Sequence, residues 1–173
     1  MMEKRTFFME HLDHVRKLLT REPRGHRGMF VAVVTEPVTK GADFGLIYMD
    51  PRRYPFLCGH GTIGAVTTLI ETGVIAAGQG ETRVVVDTPS GPMETLAMVK
   101  EGGVASVAIR MVPSFVHKTA QVLAVTGEGD ITVDLVCVGG FFVMVEAKQM
   151  GLKLVPENSN RIIQLGMSII DAA

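Results

Sequence analysis

Apolar residues recur every three or four positions near both ends of the chain, a spacing that predicts helices over residues 5–20 and 156–172. A third helical pattern follows Gly61 and ends at Gly73, a residue type that commonly terminates helices. This third helix would begin just after Cys58. The apolar positions are Phe8, Leu12, Val15 and Leu19 in the N-terminal helix, Ile63, Val66, Leu69 and Ile70 in the helix after Cys58, and Ile162, Leu165, Ile169 and Ala172 in the C-terminal helix.

Short apolar runs rich in β-branched residues, separated by Gly, Pro and Asp, predict strands between these helices. Because most of these runs are separated by short turn-like segments, we expect a mostly antiparallel sheet. The pattern predicts the α+β class, with the sheet wrapped on a buried central helix, and one domain over residues 1–173. The predicted strands cover residues 29–35, 44–49, 82–87, 93–99, 104–111, 121–125, 131–138 and 141–147.

Composition narrows the possible functions. Hydrophobic residues make up 47% and charged residues 20% of the chain, which is typical of a globular protein. The net charge of −1 predicts neither nucleic-acid binding nor attraction to an anionic membrane. The longest apolar run, residues 135–145, is too short to cross a bilayer, and the first segment carries acidic residues that a secretory signal lacks. The two cysteines are too few and too distant to indicate a disulfide framework, so we expect a reduced, cytoplasmic protein.

Cys58 is the main candidate for chemistry. A thiol at a helix entrance lies near the positive end of the helix dipole and near unpaired N–H groups, so the sequence predicts a lowered thiol pKa. Gly59 and Gly61 leave the neighbouring backbone open, and their N–H groups could bind a carboxylate, with His60 as a further donor. The alternative is that Cys58 is a small buried hydrophobic residue.

The segment Leu57-Cys-Gly-His-Gly-Thr-Ile-Gly64 resembles the first catalytic motif of the proline racemase family. Other stretches resemble the same family in the same order, and together they extend from the first helix to the last. Several separated matches in one order are more specific than a single short motif. These stretches are Glu22-Pro-Arg-Gly-His-Arg-Gly-Met-Phe30, Pro113-Ser-Phe-Val116, residues 134–147, and the helix that opens with Pro156-Glu-Asn.

The resemblance implies a diaminopimelate epimerase-like fold and a racemase that needs no cofactor and no metal. Cys58 would be one of two catalytic thiols that face each other across the substrate Cα. Gly59 and His60 would bind the substrate carboxylate, mainly through main-chain N–H groups. Phe30 would pack on the pyrrolidine ring, and an aromatic residue there favours proline over hydroxyproline.

The sequence also departs from the family pattern. The second catalytic motif, of the Asp-Arg-Ser-Pro-Cys-Gly-Thr-Gly-Thr type, and the opening His-Thr-x-Gly-Glu-Pro type strand do not occur in it. We therefore expect a truncated chain without the second domain, inactive alone, and prone to form a homo-oligomer through its uncovered face. The alternatives are a hydroxyproline epimerase or trans-3-hydroxyproline dehydratase of the same family, and a non-catalytic product.

The remaining candidates have simpler interpretations. Cys137 lies in an apolar strand and is interpreted as a buried structural thiol. His11 and His14 share a helix face, but no acidic or thiol partner at metal-ligand spacing accompanies them, so no metal site is predicted. The neighbouring residues Phe141 and Phe142 are expected to place one ring in the core.

Overall fold

The computed structural model describes residues 1–173. It divides into two compact units, Met1–Val112 and Pro113–Ala173. The prediction of one domain over residues 1–173 stays a prediction.

The first unit is built on a five-stranded sheet with the order β1-β2-β3-β4-β5. Neighbouring strands are antiparallel except for β2 and β3, which are parallel. All six residues of β2 are buried, because both faces of this strand are covered by apolar side chains. The strands are β1 (Val31–Thr35), β2 (Phe44–Met49), β3 (Gly80–Thr88), β4 (Gly91–Lys100) and β5 (Gly103–Arg110).

Helix α3 (Gly59–Glu71) packs on one face of this sheet and forms the main core with it. Its inward side chains Val66 and Ile70 contact Leu46, Tyr48 and other buried residues of the strands. The helix ends at Glu71, Thr72 is its C-cap, and Gly73 follows with a φ of +75°, a conformation that costs glycine little. The α+β class and the mostly antiparallel sheet are thus confirmed. The expectation that this helix is buried is wrong, because only Thr62, Val66 and Ile70 are buried and the opposite face is exposed.

The first predicted helix is in fact two helices, α1 (Met2–His11) and α2 (Asp13–Thr20). Leu12 breaks the helix, with φ −122° and ψ 16°. Arg16 lies between the apolar positions of this predicted helix, yet it is only 5% exposed. Its guanidinium donates hydrogen bonds to Asp13 and to the carbonyl oxygens of residues 50 and 51, so a buried charge replaces an expected solvated one.

The second unit is an antiparallel sheet of three strands, β6 (Ser114–Val125), β7 (Gly129–Val138) and β8 (Phe141–Met144), packed on α4 (Ser159–Ala172). Its core joins Leu165 and Ile169 of the helix to residues of β6 and β7. Short 3-10 helices cover Ala147–Met150 and Pro156–Asn158. None of the helices of either unit is both long and apolar enough to span a bilayer.

Several boundaries in the second unit differ from the predictions. Strand β6 begins at Ser114 rather than at 121, and β8 ends at Met144. The helix predicted from residue 156 opens with a 3-10 turn and becomes α-helical at Ser159. Phe141 and Phe142 are 67% and 53% exposed, so the expectation that one of the two rings enters the core is wrong.

Candidate active site

Cys58 is the N-cap residue of α3, with an extended backbone (φ −152°, ψ 112°) that turns into the helix at Gly59. Its Sγ atom accepts a hydrogen bond from the backbone N–H of Gly61, with 3.4 Å between sulfur and nitrogen. The thiol is half-buried beside the apolar core and is not enclosed by it. The predicted position at the helix entrance is therefore confirmed.

The predicted direction of the thiol pKa is wrong. Burial raises the pKa of Cys58, and this effect exceeds the lowering by the backbone N–H groups of Gly61 and His60. Desolvation disfavours the charged thiolate, and the helix mouth does not compensate for it. The neutral thiol form of Cys58 is thus favoured over the thiolate more than in an ordinary cysteine.

His60 extends the site towards solvent. Its Nδ1 atom lies 3.3 Å and its Nε2 atom 3.7 Å from the Sγ atom of Cys58. The ring also packs edge-on against Phe30, with 5.1 Å between the ring centroids. The imidazole therefore links the sulfur to the aromatic side chain that precedes β1.

Gly61 keeps the sulfur accessible from the helix side. A Cβ atom at this position would lie 3.3 Å from the Sγ atom of Cys58, 3.4 Å from the Phe30 ring and 3.5 Å from the Tyr48 ring. These contacts are tight for a methyl group, so glycine leaves room that a larger residue would fill. Gly59 has no such neighbour closer than 3.9 Å.

The backbone N–H of Gly59 is the first of the helix and has no partner four residues earlier within the helix. Because the N–H groups of the first turn point out of the helix mouth, Gly59 offers an unpaired donor beside the sulfur. The structure thus brings together Cys58, Gly59, His60 and Phe30, the four residues singled out from the sequence. Their roles in substrate binding and catalysis stay predictions.

A pocket of about 310 Å³ opens between β1 and α3. Cys58 does not line it, but His60 and Gly61, which both contact the Cys58 sulfur, do. Phe30 and Ala32 form one wall, while His60, Gly61 and Ala65 form the other. Its lining is mainly apolar with the polar imidazole at one end, which suits a small molecule with an apolar ring and one charged group.

Sequence reasoning missed two buried hydroxyl groups beneath the site. Tyr48 of β2 and Thr62 of α3 are completely buried, and their oxygens lie 2.6 Å apart. The Thr62 hydroxyl in turn donates to the carbonyl oxygen of Cys58 over 2.8 Å. The apolar patterns of β2 and α3 place Tyr48 and Thr62 in the core. A polar side chain at such a position was the feature of the sequence that could have indicated a buried hydroxyl group.

The model of the family described as "Proline racemase" matches residues 1–173. The chain belongs to the proline racemase family. This confirms the family resemblance found in the sequence.

A proline racemase of Clostridioides difficile is 40% identical over 99% of this chain and 51% of its own length. A trans-3-hydroxy-L-proline dehydratase of Bacillus thuringiensis subsp. konkukian is 37% identical over 88% of this chain and 46% of its own length. The chain thus spans about half the length of the curated relatives it matches.

The crystal structure of a hydroxyproline epimerase from Agrobacterium vitis, with bound trans-4-hydroxy-L-proline, superposes with a TM-score of 0.86. It is 32% identical, and the match covers 91% of this chain and 46% of the epimerase chain. Proline and hydroxyproline epimerases share the diaminopimelate epimerase-like fold, so the predicted fold family is confirmed.

Proposed function

We propose that this chain belongs to an amino-acid racemase of the proline racemase type and supplies one of two thiols that invert the Cα centre of proline. The observation that carries the proposal is the position of Cys58 at the mouth of α3, beside the unpaired N–H of Gly59. A substrate carboxylate bound by the N–H groups of Gly59 and His60 would place its Cα atom next to the sulfur. Phe30 would pack against the pyrrolidine ring from the side of β1.

The proposed reaction moves one proton on each face of Cα. A thiolate on one face takes the Cα proton, while a thiol on the opposite face donates its own proton to the carbanion. Cys58 serves as the acid for one enantiomer and as the base for the other. The raised pKa of Cys58 fits the acid role at neutral pH, because a neutral thiol does not repel the substrate carboxylate. This chemistry requires neither pyridoxal phosphate nor a metal ion.

One thiol does not reach both faces of a bound substrate. We therefore propose that the 173 residues do not racemise proline by themselves. The test is deuterium incorporation at Cα of L- and D-proline in heavy water, with the Cys58→Ser variant as the control. Exchange of either enantiomer by the 173-residue chain, abolished by Cys58→Ser, would contradict this part of the proposal.

Hydroxyproline epimerisation and dehydration of trans-3-hydroxyproline are the second candidates, because relatives with these names match the chain at similar identity. Phe30 favours proline, since an apolar ring provides no partner for a substrate hydroxyl. Isothermal titration with proline, 4-hydroxyproline and the planar pyrrole-2-carboxylate separates the candidates. Tighter binding of 4-hydroxyproline than of proline would contradict the proline assignment, and no binding of any of the three would favour a non-catalytic product.

The assembly and location are proposed on separate grounds. The second unit exposes Phe115, Val116, Phe141, Phe142 and Met144, and apolar surface of this kind favours self-association. We therefore expect a homo-oligomer, and a monomer by light scattering at high concentration would contradict this. The mechanism needs a free thiol at Cys58, so it requires a reducing compartment, as the cytoplasm is.

A further inference from the structure

A chain of two buried hydroxyl groups ends on the peptide that joins Cys58 to Gly59. The Thr62 hydroxyl has one hydrogen, and it is donated to the carbonyl oxygen of Cys58. The Tyr48 hydroxyl must therefore be the donor in its 2.6 Å contact with Thr62. The direction of donation runs from Tyr48 through Thr62 to the Cys58 carbonyl.

The helix does not need these two hydroxyl groups in order to form. The Cys58 carbonyl already accepts the usual helical hydrogen bond from the N–H of Thr62, over 3.0 Å. A phenylalanine and a valine would fill nearly the same space as Tyr48 and Thr62 without burying two hydroxyl groups. The two side chains thus give a second hydrogen bond to one carbonyl, and that carbonyl belongs to the N-cap residue of the site.

The peptide between Cys58 and Gly59 has two ends. Its carbonyl oxygen receives the hydrogen bonds from Thr62, and its N–H is the unpaired donor of Gly59 at the helix mouth. Hydrogen bonds in series polarise one another, so a donor on the carbonyl strengthens the N–H at the other end of the same amide. A Cβ atom on Gly61 would lie 3.5 Å from the Tyr48 ring and 3.3 Å from the Cys58 sulfur, so the ring and the sulfur are close neighbours.

We propose that Tyr48 and Thr62 are positioning residues that orient and polarise the Cys58–Gly59 peptide so that its N–H binds the carboxylate of the substrate. The inference rests on the proposed function, because it assigns a role to the same carboxylate-binding N–H. Neither side chain touches the substrate, and both act through the backbone of Cys58.

The test compares two alkylating reagents at one sulfur, in a Cys137→Ser chain that leaves Cys58 as the single thiol. Iodoacetate carries a carboxylate that the Gly59 N–H can bind, whereas iodoacetamide is neutral. The measured quantity is the rate with iodoacetate divided by the rate with iodoacetamide at one pH. The thiolate fraction and the accessibility of the sulfur affect both rates equally, so they cancel in this ratio. We expect this ratio to be higher for Cys58 in the protein than for 2-mercaptoethanol, a thiol without a carboxylate-binding site.

We expect Tyr48→Phe and Thr62→Val each to lower this ratio by about fourfold or less, on the scale of hydrogen-bond cooperativity. Thr62→Ser keeps a hydroxyl group and should preserve the ratio. The double variant Tyr48→Phe/Thr62→Val leaves no buried hydroxyl without a partner, so it should stay folded if a single variant does not. It should show the lowered ratio as well.

Two matched controls are available in the first unit. Thr20 is also completely buried, and its hydroxyl also donates to the carbonyl four residues earlier in its helix, that of Arg16. Tyr54 is a second buried tyrosine, whose hydroxyl donates to Asp13. Thr20→Val and Tyr54→Phe remove the same groups elsewhere and should leave the ratio unchanged.

Two results would overturn the inference. An unchanged ratio in folded Tyr48→Phe and Thr62→Val chains, with a raised ratio in the parent chain, would overturn it while leaving the carboxylate site in place. If the ratio of the parent chain is no higher than that of 2-mercaptoethanol, the carboxylate site itself is ruled out, and the inference is ruled out with it.

Discussion

The Sγ atom of Cys58 accepts a hydrogen bond from the N–H of Gly61, yet burial outweighs this bond and raises the pKa of the thiol. The donor stabilises a thiolate once it has formed, and the apolar surroundings raise the cost of forming it. A thiol in this balance can give up its proton to a carbanion and take one back.

The alkylation rate of Cys58 is expected to rise with pH around a midpoint above that of an ordinary cysteine, because burial raises its pKa. The measurement is the iodoacetamide rate as a function of pH in a Cys137→Ser chain. The Cys58→Ser/Cys137→Ser chain gives the background. A midpoint below that of a free cysteine would show that the helix mouth dominates over burial.

Gly61→Ala should slow the reaction of Cys58 with iodoacetamide at a fixed pH by about tenfold or less, because the added methyl group lies against the sulfur. Alanine is the better helix former by about 1 kcal/mol, so crowding and helix propensity act in opposite directions on stability. The readouts are the alkylation rate and the free energy of unfolding in urea.

Gly64 provides the matched control for Gly61 in the same helix. A Cβ atom there meets nothing within 4 Å, so Gly64→Ala should gain about 0.5–1 kcal/mol of stability and leave the alkylation rate unchanged. Equal effects of the two substitutions on the rate would contradict the proposed crowding of the sulfur at Gly61.

Arg16→Leu should lower the free energy of unfolding by roughly 2–3 kcal/mol, because it leaves Asp13 and the carbonyl groups at residues 50 and 51 without their buried donor. Lys17→Ala removes another partner of Asp13, but this lysine is half exposed and its loss should cost less than about 1 kcal/mol. Urea unfolding of both variants checks the difference. Equal losses would show that the burial of Arg16 contributes nothing special.

The stability of the fold should decrease as the pH falls below about 4, the usual range of a carboxyl group. Hydrogen bonds from Arg16 and then Lys17 hold the pKa of Asp13 well below that range. A carboxyl group with a lowered folded-state pKa stabilises the fold above its unfolded pKa, and this contribution is lost on acidification. The stability difference between the parent chain and Asp13→Asn should thus be larger at pH 7 than at pH 3, and a constant difference would contradict the assignment.

The part of the site that follows from local sequence was predictable. Glycines beside Cys58 and the helical spacing from Ile63 onwards place the sulfur at a helix entrance, and the structure has it there. Whether the pKa of the thiol is raised or lowered depends on how deeply Phe30, Tyr48 and the strands surround the sulfur. No local sequence pattern contains that information.

The wrong predictions about the rest of the fold have the same cause, because they too depend on contacts between distant segments. The break at Leu12 interrupts an apolar spacing that continues on both sides of it, so the pattern alone favours one helix. Arg16 is buried because carbonyl groups from a distant segment converge on it, and a charged residue is otherwise expected at the surface. The hydroxyl groups of Tyr48 and Thr62 are likewise paired only through the packing of β2 against α3.

The parallel pairing of β2 with β3 has a consequence for the order in which the molecule assembles. Parallel neighbours cannot be joined by a tight hairpin, so residues 50–79, which include Cys58 and all of α3, form a crossover connection between them. The hairpins β3–β4 and β4–β5 close short loops, whereas this pairing must close a long one at a greater entropic cost. We therefore expect the sulfur of Cys58 to acquire its neighbours late in folding, after most of the sheet has formed.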